Sequence, residues 1–220
     1  MRYYPVNLDV RHRDCLVVGG GSVAERKVRT LLECGAKITV ITLDATEHLE
    51  TLRADGHIEL NFRGYQSSDL DGRFLVIGAT DDEVMNQTIS QDAASRGILC
   101  NIADRPEACT FVLPAIACRG DLVIAVSTSN KSPAVAKYIR QAMEKEFGPE
   151  YATLLNLMGA IRQRFMAEAK SPEEHKDLFG RLLNEGLVEM IREDRLEDID
   201  AVLRKVLGKG YTWKNLVTSH

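Results

Sequence analysis

Cys15-Leu16-Val17-Val18-Gly19-Gly20-Gly21-Ser22-Val23-Ala24-Glu25-Arg26-Lys27 is the stretch that decides the reading of this chain. An apolar run of strand length enters a glycine turn, and a helical pattern leaves it. Gly19, Gly21 and Ala24 fall on the three positions of G-x-G-x-x-A. The first glycine permits a tight turn, the second lets backbone N–H groups approach a pyrophosphate, and a small third residue lets the helix pack on the strand. The partial positive charge of the helix N-terminus then faces the phosphates. Val23, Val28, Leu31 and Leu32 give that helix an apolar face, and Gly35 stands where it should stop. Lys37–Thr42 reads as a second strand.

Working outward, residues 14–104 alternate between strand and helix patterns. A helix is expected near Thr46–Ala54 and a strand at His57–Phe62. Phe74–Thr80 is a continuous apolar run of the kind buried on both faces. Asp81 or Asp82 can cap the next helix, which should stop at Gly97, and Ile98–Ile102 is the next strand. This alternation predicts an α/β, Rossmann-type, doubly wound parallel sheet. Ligands in such sheets sit at the carboxyl ends of the strands, which here carry Gly19–Ser22, Gly78-Ala79-Thr80 and Asn101–Asp104.

After Asp104 the pattern changes. Thr110–Cys118 and Asp121–Thr128, joined at Arg119-Gly120, predict an antiparallel hairpin. Ser132-Pro133 opens a helix with Val135, Ile139, Ala142, Met143 and Phe147 on one face. Residues 150–207 read as helical, with a capping box at Ser171-Pro172-Glu173-Glu174, and Gly210–His220 reads as a tail. These C-terminal residues look too few for a large core of their own, so packing on the first domain or on a second subunit is expected.

The bulk numbers bound the function. The chain has 220 residues, 45% of them hydrophobic, and a net charge of −4, which argues against general nucleic-acid binding. No apolar run approaches the ~20 residues of a membrane span, and Met1–Pro5 lacks a signal-peptide core, so a cytoplasmic protein is expected. The five cysteines (Cys15, Cys34, Cys100, Cys109 and Cys118) form no C-x-x-C and read as reduced thiols. His12, His48, His57, His175 and His220 have no metal-ligand spacing, so no protein metal site is expected.

Several motifs recur together and in order: Tyr4-Pro5-Val6, Val17–Lys27, Ala79-Thr80-Asp81, Asn86, Arg96-Gly97, Asn101-Ile102-Ala103-Asp104, Phe111-Val112-Leu113-Pro114, Arg119-Gly120-Asp121-Leu122 and Ser132–Lys137. On these the chain resembles the precorrin-2 dehydrogenase and sirohydrochlorin ferrochelatase family, as found in the N-terminal half of siroheme synthases. The resemblance is strong over residues 3–147. It implies an NAD-binding Rossmann domain (1–110), a dimerisation region (111–148) and a helical C-terminal domain (149–220), assembled as a homodimer. It implies NAD-dependent oxidation of precorrin-2 to sirohydrochlorin and, in bifunctional members, insertion of ferrous iron to give siroheme. The methyltransferase half has no counterpart here, so methylation is not expected.

The family's key carboxylate corresponds to Asp104, just past a strand end, where a base can take the proton released in oxidation. The residue-level alternative is that Asp104 only caps a turn before Pro106. Cofactor contacts carry over to Gly19, Gly21, Ser22, Val23, Leu43, Asp44, Ala79, Thr80 and Asn101. Asp44 falls slightly late for the usual ribose contact, and the absence of a nearby arginine or lysine for a 2′-phosphate favours NAD over NADP. A polycarboxylate tetrapyrrole needs positive charge, for which Arg105, Arg119, Lys131, Lys137 and Arg140 are candidates. One departure stands out: Ser129-Asn130 replaces the family's usual glycine pair. Serine enters the left-handed region less readily than asparagine, so a loop of altered shape is expected, with consequences for chelation. Two other readings stay open: a dehydrogenase without chelatase activity, and an NAD(H)-sensing module. The latter would call for a helix-turn-helix or gating extension, and neither is evident.

Overall fold

The computed structural model describes residues 2–168 and 172–217. By internal packing the chain forms two compact units, Met1–Leu113 and Pro114–His220.

The first unit runs β1 (Asp14–Val18), α1 (Ser22–Glu33), β2 (Lys37–Thr42), α2 (Glu47–Ala54), β3 (Glu59–Phe62), β4 (Leu75–Gly78), α3 (Glu83–Arg96) and β5 (Leu99–Ile102). All five strands are parallel, in the order β3-β2-β1-β4-β5. This is the expected doubly wound sheet. The apolar runs are continuous because both faces are covered. Cys15, Val17, Val40 and Ile77 pack with Ala24, Val28 and Leu31 of α1 and Leu49 of α2, while Leu16, Val18, Ile41, Val76 and Cys100 pack with Ile89 and Ala93 of α3. Burial pushes the Cys15 thiol up to about 11 and the Cys100 thiol up to about 12, so both remain protonated core residues.

Helix boundaries follow local chemistry. Thr46 caps α2 by accepting from the Leu49 N–H, and of the two aspartates that could cap α3 it is Asp82 that does, accepting from Met85. Gly97 ends α3 in the left-handed conformation (φ 66°).

The second unit opens with β6 (Ala115–Arg119) and β7 (Leu122–Val126), an antiparallel hairpin. Register pairs Arg119 with Leu122, so the turn is Gly120-Asp121 rather than Arg119-Gly120, and residues 110–114 lie outside the strand. Helices α4 (Pro133–Glu146), α5 (Glu150–Ala167), α6 (Pro172–Asn184), α7 (Leu187–Arg192), α8 (Leu196–Leu207) and α9 (Trp213–Val217) follow. Ser132 caps α4 and Pro133 occupies its first turn, as expected. The capping box expected at Ser171 lies outside the described residues.

Two expectations are corrected here. The C-terminal helices do bury a core of their own, built by Leu154, Leu157, Ile161 and Phe165 of α5 against Leu182, Leu187, Ile199 and Leu203. Residues from Gly210 onward are also not a loose tail as far as Val217. Tyr211 and Leu216 are buried in that core, Arg164 donates to the Gly210 carbonyl and stacks over the Tyr211 ring, and the Trp213 N–H donates to Asp200. The α4 face behaves differently. Only Ala136 is buried, and Val135 and Ile139 are exposed, as are Ile116 and Val123 on the hairpin.

Candidate functional site

The carboxyl ends of β1, β4 and β5 lie side by side, because Val18 pairs with Gly78 and Gly78 with Ile102. The strand order reverses direction between β1 and β4, the switch point at which doubly wound sheets bind ligands. The glycine turn sits at that point and is clamped on two sides. A Cβ at Gly19 (φ 118°) would overlap the Ala79 carbonyl, and one at Gly20 would overlap the Asp44 carbonyl and come within 2.7 Å of Thr42 Oγ1. Backbone bonds hold the turn there: Gly19 N–H donates to Ile41 O (2.8 Å) and Thr46 N–H to Gly20 O (3.0 Å).

Gly21 is different. It is exposed, and its Cβ direction opens into empty space. It is the N-cap of α1 in extended conformation, and no side chain caps that helix. The first intrahelical bond is Glu25 N–H to Gly21 O, which leaves the N–H groups of Ser22, Val23 and Ala24 without a partner inside the helix. An uncapped helix N-terminus behind an open glycine is a cradle for a phosphate group. The neighbouring Ala79-Thr80 turn is fixed from α3, where the buried Asn86 side chain donates to Thr80 O (2.8 Å) and its amide oxygen lies 3.2 Å from Thr80 Oγ1.

Asp104 lies two residues beyond β5 on the same rim. It is exposed, and its backbone is left-handed, with φ 60°. Aspartate enters that region more easily than most residues, yet holding it there still costs about 1 kcal/mol. The surrounding turn supplies the restraint. Arg105 N–H donates to Ile102 O, Ala108 N–H to Arg105 O, and Ser90 Oγ on α3 to Ala108 O. Lys27, half-buried on α1, lies within the field of the Asp104 charge. Burial draws its ammonium below the usual range, nearby Arg26 lowers it further, and the Asp104 carboxylate opposes both.

The comparisons with known proteins agree with this geometry. Residues 6–115 match the family described as "Putative NAD(P)-binding", half of the chain and the whole of the parallel sheet. The chain belongs to that NAD(P)-binding family. Among individual relatives, it is 33% identical to the siroheme synthase of Citrobacter koseri over 210 residues, covering 95% of this chain and 46% of that one. It is 35% identical to the siroheme synthase of Methylococcus capsulatus, covering 92% and 43%. The chain therefore spans a little under half the length of these relatives. The solved structure of SirC, a precorrin-2 dehydrogenase, superposes with a TM-score of 0.73 at 25% identity, covering 93% of this chain and 99% of that one.

Gly19, Gly21, Ser22, Val23, Ala79 and Thr80 gather at the adjoining carboxyl ends of β1 and β4. Leu43 and Asp44 follow β2 and are exposed; the Asp44 carboxylate accepts from its neighbour Ala45 N–H, and Thr42 Oγ1 donates to the Asp44 carbonyl. Asn101 is buried and donates through Nδ2 to Phe111 O (3.0 Å). Among the candidate cations, Arg105 is engaged with Glu83. Arg119 donates to the Cys118 and Glu144 carbonyls and joins the hairpin to α4, and Arg140 pairs with Glu144. Lys131 and Lys137 are exposed.

Ser129 and Asn130 are both left-handed, with φ 51° and 63°. Serine as well as asparagine therefore adopts the left-handed region in this loop. Two positions were not singled out as site residues in the sequence. Gly20 is signalled only as the middle of three consecutive glycines, and Cys109 by nothing local. Among the described residues no group of His, Cys, Asp and Glu could hold a metal ion, and no helix is long and apolar enough to cross a membrane.

Proposed function

We propose that this protein is an NAD-dependent precorrin-2 dehydrogenase of siroheme biosynthesis. The observation that carries the reading is the pairing, on one sheet rim, of an uncapped glycine cradle with a carboxylate held on a left-handed turn. The siroheme synthase relatives and the SirC structure supply the substrate class.

The N–H groups of Ser22 and Val23 would hold the pyrophosphate, Asp44 would meet the adenosine ribose, and Ala79 and Thr80 would border the nicotinamide end. NAD, when bound, would supply the hydride acceptor. Oxidation of precorrin-2 to sirohydrochlorin removes a hydride and a proton, and the Asp104 carboxylate takes the proton, a role worth ~10²–10⁴ in rate. NAD is favoured over NADP because Arg63, whose N–H bonds the end of β2 at Thr42 O, is committed through its guanidinium to Asp69 in a bidentate pair.

The same carboxylate can accept the pyrrole N–H protons, one at a time, as ferrous iron enters sirohydrochlorin. Iron is then a substrate, liganded by the macrocycle nitrogens, and two protons leave for each ion inserted. We propose this chelatase step as a second activity. The exposed apolar residues Ile116, Val123, Val135 and Ile139 support a homodimer through the hairpin and α4. Lys131 and Lys137 are the cations best able to meet substrate carboxylates. The residue ranges 1–110, 111–148 and 149–220 then serve cofactor binding, dimerisation and helical support, in a protein of the cytoplasm.

The test is anaerobic. Precorrin-2 generated in situ is incubated with the protein and NAD or NADP, and absorbance is followed before and after ferrous ion is added. Sirohydrochlorin formation with NAD above the protein-free control is expected, then metal uptake faster than control. Uptake at the control rate restricts the protein to oxidation. No sirohydrochlorin despite bound NAD rejects the assignment in favour of a binding module.

A further inference from the structure

Among the described residues, β5 is the edge of the sheet, with no sixth strand beside it. Its ladder with β4 uses alternate residues, and Ala103 N–H donates to Gly78 O. The N–H and C=O groups of Cys100 and Ile102 therefore face outward from the edge. The chain itself closes them as it returns. Thr110 serves Cys100: its Oγ1 accepts from Cys100 N–H (2.8 Å) and its N–H donates to Cys100 O (2.9 Å). Ile102 is served by a thiol. Cys109 Sγ lies 3.1 Å from Ile102 N and 3.3 Å from Ile102 O, and it lies 3.1 Å from Arg105 O. Asn101 Nδ2 adds a longer contact at 3.6 Å.

We propose that Cys109 is a positioning residue for the reaction: its thiol grips the residues on both sides of Asp104 and so fixes the turn that aims the carboxylate. The inference rests on Asp104 being the proton acceptor. Ile102 precedes Asp104 by two residues and Arg105 follows it. The sulfur accepts from the first while its proton goes to a carbonyl of either, so one atom spans the base of the turn. The strained φ of Asp104 needs such a restraint. Burial raises the Cys109 thiol, Ile102 N–H opposes that, and Glu107 adds to it, so the group keeps the proton it donates. Removing the thiol leaves Ile102 N–H unpartnered at a buried strand end, and the turn relaxes rather than unfolds.

Cys109→Ala, Cys109→Ser and Asp104→Asn are compared with the parent protein. Steady-state oxidation, NAD binding, melting temperature and amide hydrogen exchange of residues 103–108 are all measured. Cys109→Ala is expected to lower kcat roughly ten- to hundredfold, as a displaced catalytic group does, with NAD affinity and KM for precorrin-2 unchanged. Exchange over 103–108 should speed up about tenfold. Serine, which can also accept from Ile102 N–H and donate to Arg105 O, should restore most of both. Parent-like kcat and exchange in Cys109→Ala, with Asp104→Asn inactive, overturns the positioning role alone. A fall in kcat that tracks lost NAD binding and melting temperature, with no rescue by serine, also overturns it and makes the residue a packing element. An active Asp104→Asn overturns the reading of Asp104 and this inference with it.

Discussion

Gly20 stands against the Asp44 carbonyl so closely that a single added methyl would overlap the oxygen. The glycine turn and the end of β2 are thus one packed unit, and the middle glycine is needed for a reason unrelated to the ligand. Gly20→Ala must push the Asp44 loop or the turn aside, at a cost of ~1–3 kcal/mol. Gly21→Ala meets nothing in the protein and has an ordinary φ of −79°. It should fold normally yet bind NAD at least tenfold more weakly, because its methyl enters the phosphate cradle. Thermal melts together with cofactor fluorescence titrations separate the two. Equal NAD affinity in Gly21→Ala and the parent would remove the cradle from the binding site.

Asp104→Asn is a cleaner variant than alanine. Asparagine keeps the left-handed backbone at low cost and removes only the base. Turnover should fall by about 10² or more, with NAD affinity and melting temperature preserved. Retained turnover would leave Asp104 as a turn residue only.

The helical unit carries a pH-sensitive pair. Glu150, buried at the start of α5, accepts from Arg192 Nη2 at 2.7 Å and from Nε at 3.1 Å. The Arg192 hydrogen bond holds its carboxyl below the usual value of 4.5 against the opposing effect of burial. A depressed folded-state pKa gives stability that is present above 4.5 and is lost as pH falls from there through the folded value. Glu150→Gln should lower the melting temperature at pH 7 and shrink the loss between neutral and acidic pH. A parallel loss in variant and parent would assign the acid sensitivity elsewhere.

Phe165 is fully buried, with its ring 6.0 Å from Tyr211 and 5.6 Å from Phe179. Truncating it to alanine should cost ~3–5 kcal/mol in urea unfolding. Tyr211→Ala should also destabilise, an effect that a loose tail would not produce.

If the hairpin and α4 form the dimer, placing lysine at Val123 and Val135 should produce monomers in sedimentation, because charges at a buried apolar patch go unpaired. A parent protein that sediments as a monomer at all concentrations would leave those apolar side chains without this partner.

The sheet was readable from sequence because β1, β2 and β4 are covered on both faces, so burial wrote itself into unbroken runs such as Leu75–Gly78. The rim was readable for the same reason, since strand ends mark it. What was hidden depends on neighbours far along the chain. Gly20 is constrained by the Asp44 carbonyl just past β2, Asn101 is bonded to the Phe111 carbonyl, and the contacts of Cys109 arise because β5 is an edge strand. The left-handed backbone of Asp104 had no local signal either, since aspartate also favours ordinary turns. The helices were found, but their shared core was not. Amphipathic faces do not say which other face they meet, and the one-turn apolar spacing of Trp213, Leu216 and Val217 is too short to declare a helix.

An open sheet edge is an aggregation template unless something covers it. In this protein the cover is Thr110 and Cys109, on the segment that follows Asp104, the proposed proton acceptor. With Asp104 in the proposed role, solubility and catalysis share the same few residues. Lesions between Ile102 and Thr110 should surface first as insoluble protein at expression, and selection for soluble chains alone would preserve the geometry that the chemistry uses.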